Sequence, residues 1–470
     1  MAQSARSSTI WRDSVPFSIL SQLAAELIDR NVEETQDTLL NHANPAITSR
    51  GEEKDTILLN LQTLETLSHE MINSIPFNIV PRHWLRLYTD IALLRSIRDI
   101  VIDEEVHESN MKRFWLDAVR RLDMAIIVAG ALGNNRKNWI LDLIRVIQEK
   151  LSSQDTGNID VPTKAKRRKI DTTPSHTPLL FAPNPILVLD HFPSVEEYLQ
   201  DHLSHPFILR GYLKGSASSP AWPACSRWSS ADYLLRTVGP GRVIPVEIGK
   251  AYDDIDWSQQ IIPFTEFLHR AGFKSDARDK IASTPDESSP LYLAQYALFD
   301  QVPELEKDIS FPDYVWSNPP APGDTPSYTP PQNNDGLIVN VWVGSGNNEI
   351  ISPAHTDPYY NCYGQVVGYK RVWLAPPSCG LHMYAYGDGA GESDGIAYQY
   401  MTNTSKVPIL KPIDDFKQLQ TSYPEFFDRV WPESLEAILE PGDMMVMPPG
   451  WWHAMRAEGA GPAWSVSMWY

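Results

Sequence analysis

The stretch "DMMVMPPGWWHAMRA" at residues 443–457 decides how the second half of the chain folds. It contains two short apolar runs, each the length of a buried strand, separated by a Pro-Pro-Gly turn. The pattern recurs from about residue 183 onward, in "RVIPVEIG", "LIVNVWVG", "QVVGYKRVWLAPP" and "AWSVSMWY". An antiparallel barrel or jelly roll closes many short strands without exposed edges, so we expect that architecture for residues 183–470.

Residues 1–150 have a different periodicity. Stretches such as "HWLRLYTDIALLRSIRDIVIDEE" and "MKRFWLDAVRRLDMAIIVAGAL" place apolar side chains three and four residues apart, which predicts helices. No internal repeat with a recognisable consensus is visible. We therefore predict an α+β protein with a helical N-terminal domain at 1–150, which either docks a protein partner or supports the second domain.

The segment between these domains, residues 151–182, is poor in large apolar residues and contains several prolines, which indicates a flexible linker. It carries an isolated basic run in an acidic chain: Lys164, Lys166, Arg167, Arg168 and Lys169. Such a run is typical of a nuclear import signal or a nucleic-acid contact, and the alternative is a solvated charge run that keeps the linker extended. We favour import, and so predict a location in the nucleus, with the cytoplasm second.

Composition limits the function classes. The chain has 470 residues, 42% of them hydrophobic, which suffices for one large core and a smaller one. A net charge of −19 argues against broad electrostatic capture of nucleic acid or acidic membranes and suits a soluble enzyme or a binder of basic peptides. The three cysteines form no CxxC pair, and no run of eighteen apolar residues occurs, so we expect a protein of a reducing intracellular compartment, with no membrane partner.

The segment "PAHTD" at residues 353–357 offers two candidate metal ligands. His355 and Asp357 are two residues apart, so in an extended strand their side chains point to the same face. His453 follows in a later strand and offers a third ligand. Two histidines and one carboxylate are the ligand set typical of non-haem Fe(II) oxygenases. Zinc is the alternative, but the chain has no HExxH helix or cysteine ligands to support it.

Lys370 lies in the next apolar run, where a buried ammonium needs an anionic partner. A lysine near two open iron positions suits the far carboxylate of 2-oxoglutarate, although it could instead extend outward from a strand end. Two alternating strands add support. Asn340 and Trp342 share one face of "LIVNVWV", and Ser465, Ser467 and Trp469 share one face of "AWSVSMWY", which predicts a cavity wall or ordinary barrel packing.

With these residues in place, the chain resembles the Jumonji C (JmjC) domain oxygenases of the cupin superfamily. The order HxD, Lys, His, the "GYKRVWLAPP" strand and the approach "PGDMMVMPPGWWH" carry the resemblance. More narrowly, "PLYLAQYALFDQVPELEKDISFPDY" (290–314) followed by "ISPAHTDPYYNCYGQVVGYKRVWL" is similar to the branch known as lysine demethylase eight, also described as protein arginyl hydroxylases. It covers residues 185–470 and implies a double-stranded β-helix for the C-terminal domain.

The resemblance implies a role for each residue that matches the family pattern. The Fe(II) ligands it implies are His355, Asp357 and His453. The residues implied to hold 2-oxoglutarate are Tyr292, Asn361 and Lys370, with Ser352 and Trp469 lining that pocket. The residues implied to contact a substrate guanidinium are Glu247 and Trp342, with Tyr252 and Gln295 as further candidates. A carboxylate beside an aromatic face suits a cation chemically.

One departure from the family pattern is visible in the segment after His355. Thr356 and the pair Tyr359–Tyr360 make it bulkier, which leaves the preferred peptide open. The expected function is an Fe(II)- and 2-oxoglutarate-dependent dioxygenase that uses O2 to hydroxylate a protein side chain, with arginine as first choice. The alternatives are demethylation of N-methyl-lysine on histones, and a non-catalytic chromatin-associated binding protein. The expected partner is a basic protein or peptide, with no direct nucleic-acid contact.

Overall fold

A computed structural model describes residues 18–19, 22, 52–101, 108–154, 182–216, 219–252, 257–274, 290–346, 350–386, 401–413 and 415–470. Within them the chain divides into two compact units. One consists of the helices before residue 155 together with Gly239–Ile244, and the other of 182–238 and 245–470. The predicted boundaries at 150 and 182 remain predictions. The basic run Lys164 to Lys169 lies outside the described residues.

The described part of the first unit contains four long helices: α1 (Glu52–Asn73), α2 (Arg82–Val101), α3 (Glu108–Ala129) and α4 (Arg136–Gln154). Their buried side chains recur three and four residues apart, as the sequence predicts, and α4 shows this with Trp139, Leu143 and Ile147 in one core. Gly130, in the left-handed region at φ 59°, closes α3, and its N–H donates to the Ile126 carbonyl.

Two buried ion pairs lie inside this helical unit. The Arg136 Nε donates to Asp90 Oδ1 at 2.9 Å, linking α4 to α2. The Arg242 Nε donates to Asp123 Oδ1, also at 2.9 Å, and the Val243 N–H donates to the same carboxylate. This second set explains why Gly239–Ile244 packs with the helices although the sequence places it among the strands. No helix in the described ranges is long and apolar enough to cross a membrane.

The second unit is built on two sheets and confirms the α+β class. The strands are β1 (Asn184–Pro185), β2 (Leu187–Leu189), β3 (Phe207–Leu209), β4 (Val243–Ile248), β5 (Ser258–Pro263), β6 (Leu291–Tyr296), β7 (Ile338–Ser345), β8 (Ile351–Thr356), β9 (Asn361–Val367), β10 (Tyr369–Ala375), β11 (Leu435–Leu439), β12 (Met444–Met447), β13 (Trp452–Glu458) and β14 (Pro462–Trp469). The first two residues of β4 are grouped with the helical unit, and the rest of β4 belongs to the second unit. Its α-helices are α5 (Val195–Asp201), α6 (Ala224–Arg227), α7 (Ala231–Val238), α8 (Phe264–Arg270), α9 (Leu298–Gln301), α10 (Pro303–Glu306) and α11 (Phe416–Ser422).

One sheet has the order β1-β11-β10-β13-β8, and the other β2-β3-β12-β9-β14-β7-β6-β4-β5. Within the described residues the long pairings are antiparallel, whereas the short pairs β1/β11 and β2/β3 are parallel. The two sheets face each other, because Tyr363 and Met445 of the larger sheet share a core cluster with Val372, Leu374 and Met455 of the smaller one. This face-to-face arrangement is the predicted jelly roll.

The pairing of β13 with β8, and of β14 with β9 and β7, brings together candidate site residues that are far apart in the sequence. His453 in β13 lies directly opposite His355 in β8. Strand β14 lies between β9 and β7, so Trp469 pairs with Asn361 on one side and Ser467 pairs with Asn340 on the other. Strand β10 is buried on both faces, with Lys370 on the same face as Val372 and Leu374, between the sheets. The sequence candidates therefore meet around one end of the sandwich.

Candidate active site

Two histidines and an aspartate meet at the mouth of the sandwich. One ligand atom each from His355, Asp357 and His453 lies within 4.8 Å of the other two. Asp357 Oδ2 is 3.4 Å from His453 Nε2, and Asp357 Oδ1 is 3.9 Å from His355 Nε2. The two imidazole centroids are 4.2 Å apart. Among the described residues this is the cluster that could hold a metal ion.

The backbone fixes which nitrogen of each imidazole is free to bind a metal. His355 Nδ1 lies 2.8 Å from the Pro353 carbonyl, and His453 Nδ1 lies 3.1 Å from the Trp451 carbonyl. A carbonyl only accepts, so each Nδ1 carries the hydrogen and each Nε2 keeps its lone pair. The two Nε2 atoms, whose lone pairs can bind a metal, are also the ring nitrogens that face the Asp357 carboxylate. Such outer hydrogen bonds are typical of metal-ligating histidines.

The charges of the cluster also suit a cation. Burial, helped by the neighbouring His453, lowers the pKa of His355 to about 4, so its imidazole is neutral at pH 7. Burial is the largest single influence on Asp357 and would raise its pKa, but the neighbouring His453 and His355 together outweigh burial and hold this pKa below its usual value. Two imidazole side chains and one carboxylate therefore meet here, which is the donor set that Fe(II) takes in oxygenases.

A narrow inner cavity lies behind the three ligands. The predicted 2-oxoglutarate residues that line it, together with His355, Asp357 and His453, are Tyr292, Ser352, Asn361 and Trp469. Two buried polar atoms in this wall, Asn361 Oδ1 and Trp469 Nε1, have no hydrogen-bond partner. An amide can present either its oxygen or its NH2 group, so both side chains can donate to an anionic ligand. This wall fits a dicarboxylate cosubstrate.

Lys370 stands behind this wall rather than in it. Its side chain is buried, and its Nζ donates to the Tyr292 hydroxyl at 3.1 Å. Burial lowers the pKa of Lys370 to about 7 and raises that of Tyr292 well above its usual value. No carboxylate of the described residues pairs with this ammonium. A ligand carboxylate that reaches Tyr292 would supply the missing negative charge.

A wider outer cavity of about 820 Å³ is lined by two of the proposed ligands, His355 and Asp357. Its walls contain every predicted substrate residue, namely Glu247, Tyr252, Gln295 and Trp342, and also Tyr359 and Thr356. Burial raises the pKa of the Glu247 carboxyl, and the neighbouring Trp257 partly offsets this rise. Gln295 sits at a β-bulge of β6 with a positive φ of 44°, a strained conformation of the kind that accumulates at functional sites.

Three residues that the sequence places at this cavity behave differently. Tyr360 turns away from it and donates its hydroxyl to the Pro320 carbonyl at 3.0 Å, whereas Tyr359 stays in the wall with its ring 5.6 Å from that of Trp469. Ser465 donates to Gln365, and Asn340 is buried but lines neither cavity. Only Trp342, Ser467 and Trp469 of the two alternating strands reach the cavities, so part of each strand is ordinary packing.

Several lining residues escape the sequence prediction. Tyr363 lies two residues after Asn361 in β9, so strand alternation could have found it. Trp257, Gln259, Met401, Asn403 and Thr404 also line the outer cavity, but no pattern in the sequence links them to His355. The structure groups the predicted residues as described, and their individual roles remain predictions.

Comparison with known proteins agrees with this geometry. The family model of the cupin-like domain matches residues 195–470. The chain is 29% identical over 413 residues to lysine-specific demethylase 8 of Danio rerio, which spans 87% of this chain and 86% of that protein. It is 34% identical over 251 residues to Jumonji C domain-containing protein 5 of Drosophila melanogaster, and 33% identical over 282 residues to lysine-specific demethylase JMJ30 of Arabidopsis thaliana.

The last two matches cover 53% and 59% of this chain, and 52% and 53% of the relatives, so the chain spans about half the length of these two. All three matches are consistent with the two-histidine, one-carboxylate cluster and the inner cavity. The chain belongs to the cupin-like domain family, as a JmjC enzyme that depends on Fe(II), 2-oxoglutarate and O2.

Proposed function

We propose that the chain oxidises a basic side chain of a protein substrate, and that an N-methyl group of methylated lysine is its first target. The observation that carries this proposal is the outer cavity, whose wall holds both a partly buried carboxyl group, Glu247, and the proposed metal ligands His355 and Asp357. The names of the relatives in Danio rerio and Arabidopsis thaliana support a lysine substrate and favour demethylation over our first expectation of arginine hydroxylation.

The walls of the outer cavity suit a cation that is partly apolar. Tyr252, Trp257 and Trp342 supply aromatic surface, and Glu247 supplies the counter-charge. A methylated ammonium is attracted to aromatic faces and to a nearby carboxylate. The Tyr252 ring also meets the His355 ring edge-on, with centroids 6.4 Å apart, so a side chain held by these walls ends beside the metal ligands.

The remaining residues position the cosubstrate and exclude water. Fe(II) with 2-oxoglutarate and O2 supplies an oxidation that inserts oxygen into a C–H bond while 2-oxoglutarate becomes succinate and CO2. His355, Asp357 and His453 would hold the metal, while Lys370, Tyr292 and Asn361 would bind the far carboxylate. Tyr359 and Trp469, whose rings are 5.6 Å apart, both line the outer cavity, and Trp469 also lines the inner one, so these rings would limit the access of water to the reacting atoms.

Hydroxylation of arginine is the second candidate. Glu247 favours it, because a carboxylate can accept two parallel N–H bonds from a planar guanidinium. Trp342 offers that plane a stacking partner, and its own Nε1 donates to Ser467 Oγ at 3.3 Å, which fixes the indole. The two candidates use the same cavity and differ in the product.

The metal and cosubstrate assignment is tested under anaerobic conditions. We expect Fe(II) with 2-oxoglutarate to give the wild type a visible metal-to-ligand charge-transfer band. The band should be absent in His355→Ala and retained in His269→Ala, which removes an exposed histidine of α8. A band of full intensity in folded His355→Ala would show that the metal lies elsewhere.

The substrate assignment is tested by mass spectrometry of peptides incubated with the full enzyme. Methyl-lysine peptides should lose a methylene group, and Glu247→Gln should raise the KM for the peptide more than it lowers kcat. Gain of one oxygen on arginine, with methyl-lysine peptides unchanged, would contradict the first candidate and establish the second. Nuclear location and a protein partner for the helical unit remain separate proposals.

A further inference from the structure

The strand that carries the first histidine has an unusual neighbour. Strand β8 ends the smaller sheet and pairs with β13 on one side. On its other side no regular strand pairs with it within the described ranges, and the short segment Met401–Ser405 runs there instead. The Ser405 N–H donates to the Ala354 carbonyl at 2.8 Å, and an isolated bridge joins His355 to Thr404.

Within that segment, Asn403 makes two hydrogen bonds to the backbone of Thr356, the residue between the two proposed ligands His355 and Asp357. The Thr356 N–H donates to the Asn403 carbonyl at 3.1 Å. The Asn403 side-chain Nδ2 donates to the Thr356 carbonyl at 2.9 Å. Both hydrogen-bonding groups of the residue between His355 and Asp357 are thus held by Asn403.

These two hydrogen bonds lie at the C-terminal end of strand β8, where pairing with β13 stops. β8 ends at Thr356, so Asp357 lies beyond its ladder, and its carbonyl accepts from the Gly450 N–H at 2.8 Å. The peptide orientation at Thr356 determines how the Asp357 carboxylate faces the His355 imidazole. A rotation there would move the carboxylate away from the position in which three ligand atoms converge.

We propose that Asn403 is a positioning residue that sets the geometry of the metal ligands through Thr356. Asn403 is not one of the three proposed metal ligands, and it does not line the inner cavity. The inference rests on the proposed metal site, but not on the identity of the substrate. Asn403 also lines the outer cavity. The same residue therefore belongs to the proposed substrate-binding wall and holds the backbone that positions the metal ligands.

The test is metal affinity, measured by titrating the metal-free protein with Co(II) and following its visible absorbance. We expect Asn403→Ala and the similarly sized Asn403→Leu to weaken Co(II) binding by about tenfold, the lower end of the effect of outer hydrogen-bond partners on metal sites. Thr402→Ala, at the exposed neighbouring position, should bind Co(II) as the wild type does.

Melting of the metal-free proteins separates positioning from stability. The proposal requires similar melting temperatures for the Asn403 and Thr402 variants. Wild-type affinity in both Asn403 variants overturns it, and so does a fall in melting temperature large enough to explain the whole loss. His355→Ala is measured alongside. If it too binds Co(II) with wild-type affinity, the metal site itself is wrongly placed, whereas loss in His355→Ala alone removes only the role of Asn403.

Discussion

His355 is a partly buried basic group and Lys370 a fully buried one, and removal from water prepares each for a different task. Desolvation lowers the pKa of His355 to about 4, so it offers a neutral nitrogen to a metal without first losing a proton. Desolvation lowers the pKa of Lys370 to about 7, so its ammonium is only partly formed at neutral pH until an anion arrives. The sequence predicted that both residues belong to the site. It could not predict their charge states, because these depend on burial by strands that are distant in the sequence.

The pKa of Lys370 predicts a pH dependence for binding of 2-oxoglutarate. The ammonium binds a carboxylate and the neutral amine does not, so affinity should fall as the pH rises above about 7, by up to about tenfold per unit. Below that pH the lysine is already charged and affinity should level off. Calorimetry with Co(II)-loaded protein between about pH 6 and 8.5 measures this directly.

Lys370→Arg provides the control for that profile. A guanidinium stays protonated throughout the range, so its binding of 2-oxoglutarate should be weaker overall but independent of pH. A wild-type affinity that does not change across the range would show that Lys370 does not pair with the cosubstrate.

At the level of strands, the alternation of side chains predicted which residues share a face of one strand. It did not predict which residues of neighbouring strands contact each other. Ser467 and Trp469 share a face of β14, as the sequence indicated, and Asn361 with Tyr363 follows the same rule. Ser465 has the same parity but bonds to Gln365, because β14 is also flanked by β9. Asn403 could not be predicted, since only the tertiary fold brings its segment to β8.

Gly344 in β7 provides an element-scale prediction. It lies opposite Tyr292 of β6, and an added Cβ would meet Tyr292 Cδ2 at 2.9 Å and Ile350 Cδ1 at 2.7 Å. Gly344→Ala should therefore push the Tyr292 ring away from Lys370, destabilise the fold by about 1–3 kcal/mol and weaken binding of 2-oxoglutarate. Urea unfolding and a 2-oxoglutarate titration measure the two effects.

Gly323→Ala is the matched control, because a Cβ there meets nothing within 4 Å. Its stability should stay within about 0.5 kcal/mol of the wild type, with unchanged cosubstrate binding. If Gly344→Ala behaves like Gly323→Ala, the close approach of β7 to Tyr292 has no role in the site.

For the whole molecule, the sequence predicted two architectures correctly but could not assign every segment. Helical spacing and strand alternation are local, so they identified the helices and the jelly roll. Gly239–Ile244 packs with the helices because Arg242 finds the buried Asp123, 119 residues away, and no local pattern reveals such a partner. The tyrosine pair shows the same limit, since only the fold separates Tyr359 from Tyr360.

The Arg136–Asp90 pair yields a prediction for the helical unit. Both side chains are buried, and Arg136→Met would leave the Asp90 carboxylate without this partner. Loss of one member of a buried pair costs about 3–5 kcal/mol, so urea should unfold this variant at a clearly lower concentration. Co(II) affinity of the folded protein should not change, because all three proposed ligands belong to the other unit.

Arg145→Met serves for comparison, because its pair with Asp142 is exposed and should be worth less than about 1 kcal/mol. Equal unfolding midpoints for the two variants would mean that the buried pair does not stabilise the helices.

The pairing of His355 with His453 across β8 and β13 has a consequence for assembly of the sheet. A slip of one residue between antiparallel strands turns every side chain of one strand to the opposite face, so a misaligned β8 would carry its imidazole away from its partner. A metal ion that needs both imidazoles binds only the correctly aligned strands and stabilises them by mass action. The ion would then stabilise the correct register of the two strands relative to a shifted one, before any substrate is present.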